Sequence, residues 1–157
     1  MKKQLLALAV LALAAGTASA QANDTLAKIK SSGTVNLGVR DSSGLAFTIG
    51  GGKYVGFHTE MAERIVDDLK KVTGNPNLKI NYQVITSQNR IPLLQNGTID
   101  FECGSTTNNA GRQKDAAFAV TTFVDEVRTA VKANSGIKSV ADLNGKTVVT
   151  TTGTTSV

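Results

Sequence analysis

Residues 78–102 read LKINYQVITSQNRIPLLQNGTIDFE, and the pattern inside this stretch decides the fold class. Leu78, Ile80, Tyr82 and Val84 alternate with polar neighbours, the period of a half-buried strand. Ser87 offers a hydroxyl that can cap a following helix, Pro92 falls near its first turn where a missing N–H is tolerated, and Asn96-Gly97 closes it. Ile99 to Glu102 is then a second short strand. Strand, helix and strand in so short a span imply a right-handed crossover and a parallel pair.

Working outward, Asn23-Asp24 can cap a helix that runs through Lys30 and ends at Ser31-Ser32-Gly33, and Thr34 to Val39 reads as a buried strand. After the turn Gly50-Gly51-Gly52, residues Phe57 to Val72 place Met61, Ile65, Leu69 and Val72 at helical spacing, and Gly74-Asn75-Pro76 stops that helix. The alternation of elements predicts an α/β architecture with a mainly parallel sheet. Beyond Arg112, Ala117 to Val124 and Val127 to Val131 read as two extended strands joined by Asp125-Glu126, able to cross from one lobe to another. Ser139 to Leu143 reads as a short capped helix stopped by Asn144-Gly145, followed by a strand over Thr147 to Thr150. A strand followed by Gly153 and capping residues should lead into another helix, so the chain is expected to be truncated after Val157. The expected layout is a first lobe over 21–124 and the beginning of a second lobe over 125–157.

The first 20 residues carry a separate message. Lys2 and Lys3, an apolar run from Leu5 to Ala15, and Ala18-Ser19-Ala20 match a secretory signal peptide cleaved after Ala20. The run is well short of the roughly 20 residues that span a bilayer. The mature protein is therefore expected to be soluble and periplasmic, without membrane insertion. Its loss removes two of 17 basic residues and none of the 12 acidic ones, so the formal charge falls from +5 to +3. The basic residues are scattered, with no run of the kind that binds nucleic acid, and the modest excess points to a small anionic ligand. One cysteine, Cys103, in an exported chain is either a buried small hydrophobe or half of a disulfide whose partner lies past Val157. His58 is the only histidine and has no second ligand near it; it is expected at the exposed start of its helix, with no metal and no cofactor implied.

Arg40, Arg90 and Arg112 each fall at a strand end or helix start, the positions that face the ligand crevice of an open α/β sheet. A guanidinium matches a carboxylate because its planar fork donates two parallel hydrogen bonds and keeps its charge. Ser87, Ser105, Thr107 and Thr155 add neutral hydroxyl donors, although Ser87, Thr107 and Thr155 can equally be read as helix caps. Asn108 and Asn109 read as turn residues.

The runs TSQNRIPLLQNGT (86–98) and DFECGSTTNN (100–109), with Arg112, closely resemble the glutamate/aspartate-binding proteins of bacterial ABC importers, within the extracellular solute-binding family 3. GVRDSS (38–43), Gly56-Phe57, ADLNGK (141–146) and GTTS (153–156) extend the resemblance over nearly the whole mature chain. The resemblance implies a two-lobed, periplasmic-binding-protein-like (Venus flytrap) receptor without a catalytic step, monomeric, that passes L-glutamate or L-aspartate to a membrane permease. It also implies that Arg112, Ser105 and Thr107 hold the α-carboxylate, that Arg40, Ser87 and Arg90 hold the side-chain carboxylate, and that Thr155 helps close the site. Glu60 stands where many members of the wider superfamily have Asp, so no ligand role is carried to it, and the carboxylate that holds the ligand ammonium in the family has no counterpart here. Two other classes stay open: a cyclohexadienyl-dehydratase-like enzyme, for which Glu102 is the only nearby general acid, and a ligand-sensing module.

Overall fold

The computed structural model describes residues 24–156, and the signal-peptide reading of 1–20 lies outside them. Helix α1 (Thr25–Ser32) begins as expected, with Asp24 accepting a bond from the Ala27 amide at 3.0 Å, and ends at Gly33 in the left-handed region. The chain then enters β1 (Thr34–Val39), whose central place explains its composition. Val35, Leu37 and Val39 are buried on one face against Ile29 of α1 and Ala62 and Val66 of the next long helix. On the other face, Gly38 leaves room for Ile99, Ile85 and Glu102; a Cβ there would lie 2.9 Å from the Ile99 side chain and 3.2 Å from that of Glu102.

β1 pairs in parallel with β5 (Lys79–Val84), Thr34 opposite Lys79 through Val39 opposite Val84, and on its other side with β6 (Phe101–Glu102). The order β5-β1-β6 is the start of a doubly wound sheet whose crevice opens at the carboxyl ends of the strands. The parallel α/β class is as the sequence predicts. Between β1 and β5 runs a small antiparallel sheet, not anticipated beyond its turn: β2 (Ser42–Ser43), β3 (Ala46–Gly50) and β4 (Lys53–Val55). Gly50, Gly51 and Gly52 all take positive φ to connect the last two.

Helix α2 (Phe57–Thr73) has the expected extent and stops at Gly74 in the left-handed region, but its buried face is rotated from the predicted one. Ala62, Val66 and Thr73 are buried, with Leu69 packed alongside, whereas Ile65 and Val72 face solvent. His58 is also corrected: it is 2% exposed, not at an open helix start. Gly56, at φ 115°, brings its backbone so close to Leu45 that a Cβ would lie 2.6 Å from the Leu45 carbonyl oxygen, and the His58 amide donates to that same oxygen at 3.0 Å. The tight approach carries the imidazole inward, where Nε2 lies 3.3 Å from the Thr122 hydroxyl and burial lowers the ring's pKa. Tyr82 on β5 packs on Tyr54 with ring centroids 5.3 Å apart and donates to Glu63 at 2.7 Å.

Helix α3 (Arg90–Gln95) starts two residues later than a Ser87 cap would give, and β6 is shorter than Ile99–Glu102. The largest correction concerns 117–150. None of the three strands expected over Ala117–Val124, Val127–Val131 and Thr147–Thr150 forms among the described residues; only a 3-10 turn, Val140–Leu143 with its Ser139 capping box, is regular there. A strand exists only with a partner in its ladder, and no described segment pairs with these. Their apolar side chains are left exposed, Val120 by 85% and Val149 by 92%.

β6 is so short that its docking rests on one residue before it. Asp100 donates its amide to Asn36 O at 2.8 Å and accepts the Asn36 amide on Oδ2 at 2.7 Å, while Oδ1 takes Lys28 Nζ at 2.7 Å. The carboxylate is buried (1% exposed) while Lys28 remains partly exposed, so the backbone bond outweighs the ion pair. Asp100→Ala should destabilise the fold by about 3 kcal/mol, because the Asn36 N–H is left unbonded beside a short strand. Urea titration measures this; a loss below about 1 kcal/mol would mean that apolar burial alone holds β6.

Candidate functional site

At the carboxyl edge of the sheet the chain leaves β1 at Arg40, β5 at Ile85-Thr86-Ser87 and β6 at Cys103-Gly104. Thr86 and Asn89 bond reciprocally, the Thr86 amide to Asn89 Oδ1 at 2.8 Å and the Asn89 amide to Thr86 Oγ1 at 3.2 Å. Thr86 and Asn89 thus close the turn that leads into α3, and the Ser87 hydroxyl, expected as the cap, accepts from Arg40 Nη1 at 3.4 Å instead.

Arg90, the first residue of α3, is 2% exposed, a full charge withdrawn from water. Its Nη2 donates to Gly153 O at 3.3 Å, whereas its Nε and Nη1, like Arg40 Nε, are buried without a bond to any protein acceptor. Arg112 opens a 3-10 turn capped by Asn109, whose Oδ1 accepts the Arg112 amide at 2.9 Å. Its Nη1 donates to Thr107 O at 3.0 Å and its Nη2 to Gly153 O at 2.9 Å, so one carbonyl takes both guanidinium groups. The Thr107 and Thr155 hydroxyls meet at 3.4 Å. Six of the seven predicted residues, Arg40, Ser87, Arg90, Thr107, Arg112 and Thr155, are thus linked around this edge through Gly153; Ser105 lies exposed on the loop between β6 and Thr107.

Glu102, the one nearby general acid of the dehydratase-like alternative, is the last residue of β6. Its carboxyl is turned back under the following loop, where Oε1 accepts the Thr106 hydroxyl and Oε2 is buried without a partner, 3.0 Å from where a Gly104 Cβ would stand. Burial pushes its pKa up, while the Thr106 bond and then Arg90, Arg40 and Arg112 pull it down. Reciprocally, burial lowers the Arg90 pKa and Glu102 raises it. A signal was available: strand periodicity puts Glu102 on the same face as Asp100, across the sheet from Phe101 and Cys103. Cys103 is a free, half-buried thiol packed under Leu37, Val39 and Ala62, its pKa raised by burial and by Glu102.

This edge can hold an anion: three guanidinium groups gather there, two of them with buried N–H donors to spare, around one carboxylate. The sequence profile of the bacterial extracellular solute-binding proteins, family 3, matches residues 35–152. The chain belongs to this family. Among its relatives, the glutamate/aspartate import solute-binding protein of Salmonella typhimurium is 46% identical over 99% of this chain and 54% of its own length. The L-glutamate/L-aspartate-binding protein of Pseudomonas aeruginosa is 46% identical over 97% of this chain and 52% of its own length. The chain thus spans about half the length of the curated relatives it matches. In fold, the cysteine-binding protein of Campylobacter jejuni superposes with a TM-score of 0.58 at 23% identity, covering 76% of this chain and 47% of that one. The family-3 fold of such receptors is the Venus flytrap, and the parallel sheet described here is part of it.

Gly153 is the keystone of the edge. It takes φ 79°, and a Cβ there would stand 2.5 Å from Ser87 O and 2.8 Å from Gln88 Cα, both backbone atoms. Gly153→Ala should therefore lift residues 151–155 away from Ser87 and Gln88 and release both arginines from the Gly153 carbonyl. Faster limited proteolysis within this segment, with unchanged protection of β1 and α2, is the expected result; parent-like protection throughout would show that the segment adapts without leaving.

Proposed function

We propose that this chain carries the carboxylate-binding side of a periplasmic receptor that captures L-glutamate or L-aspartate and delivers it to the membrane permease of an ABC importer. The observation that carries this reading is the gathering of Arg40, Arg90 and Arg112 at one sheet edge, with buried Arg90 and Arg40 donors that meet no protein acceptor. A dicarboxylic amino acid presents two carboxylates, each suited to a guanidinium fork. In this reading Arg112, Ser105 and Thr107 take the α-carboxylate, Arg40, Ser87 and Arg90 take the side-chain carboxylate, and Thr155 helps close the site. Residues 1–20 direct export, 21–124 form the first lobe, and 125–157 begin the second. The receptor works as a monomer and transforms nothing. Relatives at 46% identity whose names specify glutamate and aspartate support the ligand class.

Calorimetry on the full-length exported product tests this with three ligands. L-glutamate and L-aspartate should bind, and L-glutamine should bind at least about a hundredfold more weakly, because it leaves a buried guanidinium unpaired. Equal affinity for glutamine and glutamate would refute the assignment, and consumption of added prephenate would refute a purely binding role. A second test divides the arginines. Arg112→Ala should abolish binding of any α-amino acid, while Arg90→Ala, checked for folding by circular dichroism, should cost glutamate about 2–5 kcal/mol and glutamine less. Parent-like glutamate affinity in Arg90→Ala would move the side-chain carboxylate elsewhere.

A further inference from the structure

We propose that Glu102 is a positioning residue: by accepting the Thr106 hydroxyl it fixes the loop 103–107, so that Ser105 and Thr107 stand where the α-carboxylate of the ligand is held. The inference rests on the reading of this edge as a carboxylate site. Two glycines make the room that the contact needs. A Cβ on Gly38, opposite Glu102 in the sheet, would lie 3.2 Å from Glu102 Cβ, and one on Gly104 would lie 3.0 Å from Glu102 Oε2. At neither glycine is φ positive, so what the missing Cβ serves is close packing: Gly38 against Ile99 and Glu102, Gly104 against the Glu102 carboxyl.

Beyond β6 the chain has no regular structure until the 3-10 turn at Arg112, so the course of this loop depends on its side-chain bonds. Thr106 is drawn inward and half-buried, while Ser105 and Thr107 on either side of it are left exposed. Thr107 then reaches two other parts of the site. Its carbonyl accepts Arg112 Nη1 at 3.0 Å, and its hydroxyl lies 3.4 Å from that of Thr155. A loop displaced at Thr106 would therefore move Ser105 and Thr107 and free the Arg112 fork, the three groups assigned to the α-carboxylate. An apolar side chain at position 102 would not bury a carboxyl oxygen, Oε2, that meets no donor. The bond to Thr106 is what such a side chain could not supply.

Two ligand pairs separate the two ends of the site. The affinity of L-glutamate relative to its α-amide reports on the α-carboxylate, and its affinity relative to L-glutamine reports on the side-chain carboxylate. For the full-length exported product, calorimetry, with the weaker ligands in competition with L-glutamate, should show that Thr106→Val lowers the first ratio about threefold or more and leaves the second within about threefold of the parent. General damage to the fold would lower both. Glu102→Leu should reproduce the change, whereas Thr106→Ser and Glu102→Gln, which keep a hydroxyl donor and an acceptor, should hold the first ratio within about threefold of the parent. A first ratio that falls less than about threefold in Thr106→Val would overturn the proposal, as would a loss in Glu102→Gln equal to that in Thr106→Val. If the parent bound no amino acid, the receptor reading would fail, and amide hydrogen exchange would still decide. Faster exchange over 103–109 in Thr106→Val, with β1 and α2 protected as in the parent, would support the anchor; parent-like exchange over 103–109 would remove it.

Discussion

A guanidinium buried at the edge of a parallel sheet sets the terms for everything around it. Arg90 is 2% exposed, and a charge so placed is tolerated only where acceptors or counter-charges replace water. Gly153 O accepts from Arg90 Nη2, and the Glu102 carboxyl is buried at the same edge, the two supplied by different parts of the chain. The first requires residues 151–155 to lie directly on Ser87 and Gln88, which only a residue without Cβ permits. The second requires β6 to end at Glu102 opposite Gly38, and that register is held by the double bond between Asp100 and Asn36. The burial of one side chain thus ties the central strand, the short third strand and a remote loop into one arrangement.

What could be read in the sequence was what local chemistry determines. Thr34–Val39 matches its expected bounds because a central strand buried on both faces is a continuous run between a left-handed Gly33 and a charged Arg40. α2 matches because Gly74 stops it whatever it packs against. Its buried face was not legible: Ile65 and Val72 are more apolar than Thr73, yet the sheet selects Ala62, Val66 and Thr73, since small and branched residues let a helix approach β1 closely. The Ser87 cap does not form because Thr86, one residue earlier, closes the turn before α3 with Asn89 three residues on. The burial of His58 was not legible because a polar residue at a helix start is assigned outward unless its long-range partner, here Thr122, is known.

The stretch 117–150 shows the limit of periodicity in another way. Alternation of Val and Thr with charged residues describes one side of a strand, whereas the strand itself is a hydrogen-bonded pair. β1 finds β5 because six residues of each stay in register behind a shared apolar layer. No described segment offers that to Val127–Val131 or Thr147–Thr150, and their backbone stays irregular and exposed. Ser139-Val140-Ala141-Asp142 survives as a turn in the same region because its capping box closes within five residues, with Asp142 Oδ2 taking the Lys138 and Ser139 amides at 2.9 and 2.8 Å. Structure that needs only neighbours in sequence persists there, and structure that needs partners in space does not.

The same distinction bears on how an anion would meet the arginines. A neutral carbonyl, Gly153 O, accepts from Nη2 of both Arg90 and Arg112, so one uncharged oxygen is shared between two charged donors. The carbonyl therefore engages the two forks without saturating them: Arg90 keeps Nε and Nη1 buried without an acceptor, while Arg112 has Nη1 engaged by Thr107 O. The donors left over are not equivalent. Those of Arg90 are buried, so an acceptor that reaches them meets N–H groups already stripped of water, whereas Arg112 is only half-buried. In the receptor proposed above, discrimination between a second carboxylate and an amide falls on the buried arginine, and capture of the first carboxylate on the accessible one.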